Sequence, residues 1–327
     1  MSEPLAPPAK TKARLLRELL ATARPVLSPG VYDGYSALMV EAMGFSTAAT
    51  TGAGLSNAIL GQPDIGLFGL RDNVDACRNI ARTVSIPLMA DADTGYGNAL
   101  TVYHVVQYFE EAGVVGINIE DQLIPKRCGH MRGKELVEPI EMAKKIEAAI
   151  KARRDPDFII NARTDAIAVE GMDATVRRIR EYAAAGADMI YADAVRSEDD
   201  VQRVVEAAGE LPVSVNMGFG IRTRPTTPLI SLNRLKALGV ARVSVPRLLP
   251  AAALSGMRKA LAVMRQCIQT GELVDRPDLL DSMEDITQLV GYARISRLEN
   301  ELLPHETLLR KYTDGDHDYV VRAPEEG

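Results

Sequence analysis

Residues 110–120 read EEAGVVGINIE: the end of an amphipathic helix, a glycine, and at once a β-branched strand. Gly113 stands where a left-handed residue closes a helix, a backbone conformation that glycine adopts without steric cost. The same design recurs as EAMGFSTAAT at 41–50, AAAGADMIYAD at 183–193 and KALGVARVSV at 236–245, with Gly44, Gly186 and Gly239 in the cap position. The repeating unit is helix, short turn, strand.

Counting outward from these four segments predicts strands at 25–32, 47–51, 87–92, 116–120, 158–164, 189–194, 212–216 and 241–246. Eight is the number that closes a barrel. Between them, apolar residues at three- and four-residue steps predict helices at 71–83, 101–112, 139–152, 174–185 and 197–208. Strands and helices in alternation demand a parallel sheet. An open, doubly wound sheet has the same periodicity, but here polar residues follow nearly every strand instead of one switch point, which favours a (β/α)8 barrel. Helical patterns at 251–270 and 280–299 exceed what eight units need, so packing against a neighbouring subunit is expected. The division is thus a flexible N-terminal segment at 1–13, a barrel with extra C-terminal helices at 14–300, and a C-terminal tail at 301–327 that is acidic and expected to be mobile from Thr313 to Gly327.

Composition narrows the function. Hydrophobic residues make up 46% and charged residues 25%, the balance of a globular protein with a sizeable core. A net charge of -6, no Trp and 5% aromatics leave neither a basic footprint nor a stacking platform for nucleic acid, so a small-molecule partner is expected. No apolar run approaches the roughly 20 residues that span a bilayer, and the proline-containing start lacks a signal-peptide core, so the expected location is cytoplasmic. Cys77, Cys128 and Cys267 are odd in number and form no CxxC pair, which argues against a disulfide framework or a zinc site.

Chemistry gathers after the strands. ADADTGYG at 90–97 places Asp91 and Asp93 on one face if the strand alternation continues, and two carboxylates in one small volume call for a divalent cation. Oxygen-only ligation suits Mg2+ or Mn2+. INIEDQ at 117–122 adds Glu120 and Asp121, of which Glu120 shares the parity of Asn118 and is expected to face inward. Asp64, in GQPDIG at 61–66, is a further carboxylate for metal-bound water.

PKRCGHMRGKEL at 125–136 is the most informative loop. A thiol set among Lys126, Arg127 and His130 has the cationic company of a reactive cysteine, and Gly129 lets the loop approach a ligand and move as a lid. Cys77 and Cys267 fall on apolar helix patterns and read as core. INARTDA at 160–166 puts Arg163 and Asp165 on one face, with Arg163 suited either to a substrate carboxylate or to neutralising the acidic rim. Tyr191, Asp193 and Asn216 complete the rim. Carboxylates, a metal, an arginine and a loop thiol suit a polycarboxylate ligand, and no nucleotide fingerprint, Walker loop or Ser-His-Asp arrangement is present.

Together TGAG, GQPDIG, ADADTGYG, IEDQLIPKRCGH and NARTDA resemble the isocitrate lyase and phosphoenolpyruvate mutase superfamily, in particular its 2-methylisocitrate lyase and 2,3-dimethylmalate lyase branch, over residues 15–300. The resemblance implies a barrel whose last helix is exchanged between subunits, assembled as a homotetrameric dimer of dimers. It assigns the metal to Asp91 and Asp93 with Asp64 and Glu120 around it, and the keto-acid carboxylate to the backbone N–H groups of Thr51, Gly52 and Ala53. Cys128, Glu120 and Arg163 are the catalytic candidates; Lys126, Gly129, His130, Arg163 and Asn216 are expected to touch substrate. The implied reaction is retro-aldol cleavage of a 2-hydroxy di- or tricarboxylate to a 2-keto acid and a carboxylate, with Cys128 delivering a proton. Oxaloacetate hydrolysis and phosphorus–carbon chemistry are the alternatives, the second disfavoured by the loop thiol. The chain departs from the methylisocitrate lyases at Ala49 and Thr51, where a tyrosine and a serine are usual, in NMGFGIRTRPTTPLIS at 216–231 with its Arg222 and Arg224, and at Arg247 and Leu248.

Overall fold

Eight short strands, each buried on both faces, close on one another in chain order. In this computed structural model they are β1 (Val26–Val31), β2 (Ala48–Thr50), β3 (Leu88–Asp91), β4 (Gly116–Glu120), β5 (Ile159–Thr164), β6 (Met189–Ala192), β7 (Val213–Asn216) and β8 (Arg242–Val245), all parallel and forming a closed barrel. The structure describes residues 10–22, 25–222 and 227–312. Closure satisfies every strand edge, so the barrel has no free edge to protect.

Helices α1 (Lys12–Thr22), α2 (Gly34–Ala42), α3 (Leu70–Thr83), α4 (Ala99–Glu111), α5 (Pro139–Ala152), α6 (Met172–Ala184), α7 (Glu198–Ala208) and α8 (Leu232–Ala237) accompany the strands. The predicted glycines do end their helices: Gly44, Gly113, Gly186 and Gly239 have φ of 79, 87, 97 and 85°. The main core lies between the sheet and α2–α8. A second, smaller core has Leu16 and Leu20 of α1 against Val26, Ile159 and Met189 at the starts of β1, β5 and β6. Helix α1 thereby plugs the N-terminal end of the barrel, leaving the opposite rim for loops. The N-terminal segment expected to be irregular to residue 13 is helical from Lys12, while residues 1–9 lie outside the described ones.

The chain divides into two compact units, one reaching to Ala251 and one beginning at Ala252. Helix α9 (Leu248–Thr270) leads into the second, which continues with α10 (Met283–Leu289), α11 (Tyr292–Leu302) and α12 (His305–Tyr312). The single helical run expected at 280–299 is broken because Gly291 takes a left-handed conformation between α10 and α11. The stretch expected as a tail from 301 contains α12, and its residues from 313 lie outside the described ones, as does Arg224. No described helix is long and apolar enough to cross a membrane.

Candidate active site

Strand register sets the depth of each inward side chain: Asp91 pairs with Asn118, Glu120 with Arg163, and Asn216 with Ser244. The C-terminal rim borders a cavity lined by Thr51, Gly52, Ala53, Asp64 and Asp91 and by Cys128, Gly129, His130, Arg163 and Asn216. The acidic strand end and the loop thiol, 37 positions apart in the sequence, therefore face one space. Glu120, Asp93 and Lys126, also nominated from sequence, sit behind its wall.

Gly52 makes room for the aspartate pair. A Cβ there would lie 2.8 Å from Asp91 Oδ2 and 3.4 Å from Asp93 Oδ1. Strand alternation is not what unites them, because β3 stops at Asp91 and Asp93 turns inward through a left-handed φ of 49°. The Gly52 N–H donates to Asp91 Oδ2 at 3.3 Å and the Gly54 N–H to Thr51 Oγ1 at 3.2 Å, so the Gly52 amide expected for a ligand carboxylate faces an aspartate here.

Lys126 corrects a second expectation. Its ammonium is turned away from Cys128 and bridges Asp64 Oδ1 at 2.5 Å and Asp93 Oδ1 at 2.8 Å. Burial pushes the Asp93 carboxyl up to about 6; Lys126 opposes this, and Asp91 and Asp64 reinforce it. Two like charges held this close need a cation between them, and the ammonium supplies it. The four carboxylates expected as one metal set are not gathered: among the described residues no three Asp, Glu, His or Cys side chains form a ligand cluster. Glu120 is instead turned to Arg163, with Oε2 at 3.1 Å from Nη1. The donors nevertheless fit a hard divalent ion. Asp91, Asp93 and Asp64 carry only oxygen donors, and between Asp64 and Asp93 a cation, the Lys126 ammonium, already sits.

Glu120, not Asp121, is the inward neighbour, as parity predicted. Asp121 packs outward, accepting from Tyr182 Oη at 2.8 Å and from the Asp165 N–H at 2.9 Å. Glu120 is 2% exposed, and burial raises its carboxyl well above the usual range against the pull of Arg163. It supports Arg163 and does not border the cavity. Arg163 is itself encircled, donating to both oxygens of Asp165 at 2.8 and 3.0 Å and lying 3.4 Å from Asp193 Oδ2, with its guanidinium 5.3 Å from the Tyr191 ring centre. Of its two expected roles, neutralising the acidic rim is the one the contacts display.

The thiol loop is seated by backbone contacts. The Cys128 N–H donates to Asp64 O at 3.0 Å, Gln122 clasps both backbone groups of Arg127 at 2.8 and 2.9 Å, and Lys134 Nζ donates to Gly129 O at 2.7 Å and to Asp165 Oδ1 at 2.9 Å. Gly129 lies so close to the rim that a Cβ would stand 1.7 Å from Asp193 Oδ2. The cation at the thiol is neither Lys126 nor Arg127 but Arg247, whose Nη2 lies 3.1 Å from Cys128 Sγ. His130 borders the same space; burial lowers its imidazole below the ordinary 6.5, against the opposing Asp193. Cys77, fully buried, is pushed up to about 12 by burial and belongs to the core, as expected.

Asn216 closes a relay the sequence did not foretell. Ser244 donates to Asn216 Oδ1, Asn216 Nδ2 to the Tyr191 hydroxyl, and Tyr191 to Asp193 Oδ1. Ser244 and Arg242 were passed over because β8 reads as an apolar strand, although the same parity that singled out Glu120 puts both on one face.

A parallel eight-stranded barrel with carboxylates and a loop thiol at its C-terminal rim has the layout of a barrel enzyme, whose reactive groups stand on the loops after the strands. Residues 16–265 match the family model described as phosphoenolpyruvate phosphomutase, and the chain belongs to that family, within the phosphoenolpyruvate mutase/isocitrate lyase superfamily. It is similar to 2,3-dimethylmalate lyase of Eubacterium barkeri, 36% identical over 288 residues covering 88% of this chain and 97% of the relative. It is likewise similar to 2-methylisocitrate lyase of Shewanella oneidensis, 37% identical over 277 residues covering 84% and 92%. Among solved structures, phosphonopyruvate hydrolase in complex with oxalate and Mg2+ superposes with a TM-score of 0.79 at 31% identity, covering 90% of this chain and all of that one. Fold likeness alone leaves the chemistry open. The sequence relatives decide it, and the chain is a carbon–carbon lyase.

Proposed function

We propose that the protein cleaves a 2-hydroxy di- or tricarboxylate of the alkylmalate or methylisocitrate type by a Mg2+-dependent retro-aldol reaction, releasing a 2-keto acid and a carboxylate. One observation carries the reading: Cys128 and the Asp91 end of β3 border the same cavity. Asp91, Asp93 and Asp64 would hold the ion, which when bound supplies positive charge to the oxygens of the hydroxy-acid end. A base takes the proton of the substrate hydroxyl and later returns it to solvent, the adjacent carbon–carbon bond breaks, its electron pair goes to the leaving carbon, and the hydroxyl carbon becomes a carbonyl. The leaving carbon then carries a negative charge spread onto its carboxylate. Cys128 gives that carbon a proton from its thiol and afterwards regains one from solvent. Asn216, held by Ser244 and Tyr191, and His130 are the neutral polar groups beside the thiol that orient this half. Gly129 lets the loop settle against Asp193 and Arg163, which brings the thiol over the reaction.

The test is a panel of 2-hydroxy di- and tricarboxylates with keto-acid release followed in the presence of Mg2+. EDTA should abolish turnover and Mg2+ restore it. Turnover indifferent to chelator removes the metal, and no keto acid from any member removes the reaction.

The reading includes assembly in the cytoplasm as a homotetramer with exchanged C-terminal helices. Its support is the exposed seam Leu254, Met257, Leu261, Met264 and Ile268 on α9, spaced alternately by three and four residues, as helix pairing requires. Sedimentation of wild type and of Leu261→Glu decides it: a monomeric wild type refutes the assembly.

A further inference from the structure

The floor of the cavity carries a charge that the chemistry above does not use. Arg242 of β8 is 1% exposed, and among the described residues its guanidinium hydrogen-bonds only to hydroxyls: Nη1 donates to Ser214 Oγ at 3.0 Å and Nη2 to Ser28 Oγ at 3.1 Å. Its Nε is buried without a partner. Among the described residues no carboxylate pairs with it, and burial lowers the guanidinium to about 10, opposed only by Tyr191. A cation buried in this way is costly unless something charged completes it.

The other two arginines of the cavity are engaged elsewhere. Arg163 is surrounded by Glu120, Asp165 and Asp193, and Arg247 is turned to the thiol. Arg242 borders the cavity together with Gly30 and Ala49, both small residues. The serines come from the strands on either side, since Ser214 is in register with Arg242 on β7 and Val26, two residues before Ser28, is in register with it on β1. They fix a planar fork suited to the two oxygens of a carboxylate.

We propose that Arg242, steered by Ser28 and Ser214, is a carboxylate-binding site at the floor of the cavity, so that a ligand is read by an oxyanion at its deep end as well as at the rim. For the substrate this rests on the lyase reading; the floor site itself does not.

The experiment uses the full-length protein without Mg2+ and sodium acetate as the probe, at constant ionic strength in HEPES, with melting temperature as the readout. Wild type should show a saturable rise, Arg242→Met none, and Arg242→Lys, which keeps the charge without the fork, a response at least severalfold weaker in acetate concentration. No saturable rise in wild type, or the same rise in Arg242→Met, overturns the site. If the methionine variant does not fold, an acetate response of Arg242→Lys equal to wild type does so. Steady-state kinetics then separates two sources of the carboxylate. A KM raised at least tenfold in Arg242→Met, with Mg2+ activation unchanged, assigns the floor to the substrate's own group. An unchanged KM with the acetate response lost assigns it to a free carboxylate ion. If wild type cleaves none of the panel, the lyase reading falls while the acetate result still decides the floor site.

Discussion

Gly129→Ala isolates the closure of the thiol loop from its chemistry. Gly129 has no positive φ, so alanine fits its backbone, and only the contact changes. The added Cβ would stand 1.7 Å from Asp193 Oδ2 and 2.9 Å from Arg163 Nη2, where nonbonded atoms need roughly 3.5 Å. Asp193 has no room to retreat, being 2% exposed and held by Tyr191 and Arg163. The loop must lift instead, which breaks the Lys134 bond to Gly129 O and the Cys128 amide bond to Asp64 O. A charged and a neutral hydrogen bond together contribute about 2.5–4 kcal/mol to the seated state. That bias corresponds to a roughly 10²- to 10³-fold loss of kcat/KM, because a lifted loop holds the thiol away from the leaving carbon. The assay is keto-acid release on the best substrate of the panel, with melting followed in parallel. Activity within threefold of wild type refutes the reasoning. So does a collapse of the melting temperature, since it would make Gly129 a residue of the fold and not of the closure.

Cys128→Ala and Cys128→Ser should keep the wild-type melting temperature and Mg2+ affinity while turnover falls roughly 10²- to 10⁴-fold, the usual worth of a positioned proton donor; full activity in both rejects the thiol's role. Iodoacetamide at pH 8 should modify Cys128 and leave Cys77 untouched in the folded protein, because a thiol held near 12 is almost wholly protonated there; peptide mass mapping that finds Cys77 labelled contradicts its burial. His130 has a folded-state value below its ordinary 6.5, so the unfolded chain takes up the proton first and stability is lost as pH falls below about 6.5. His130→Asn should therefore show a flatter urea midpoint between pH 7 and pH 5 than wild type, and parallel curves exclude the effect.

Much of the architecture was legible in short stretches. Glycine-capped helices running into β-branched strands declare a repeating unit, because backbone preference and side-chain period act over a few residues. Eight such strands and the rim position of Asp91, Glu120 and Cys128 followed from that local grammar. Asp93 was placed correctly for a wrong reason: the strand ends sooner than its pattern suggests, and a left-handed residue brings the carboxylate back. The Gly291 break escaped because a lone glycine interrupts a helix only where its surroundings let it turn.

Sequence by itself determined the alternation of elements, the inventory of reactive groups and the rim on which they stand. Tertiary structure alone decided the pairing of charges. Cys128 was read beside Lys126 and Arg127, its neighbours in the chain, yet its cation is Arg247, which lies 119 positions onward. Lys126 serves the aspartates, Glu120 serves Arg163, and Arg242 is left among serines. The reason is physical: a charge finds its partner across space, and which strands are neighbours is settled only when β8 closes against β1.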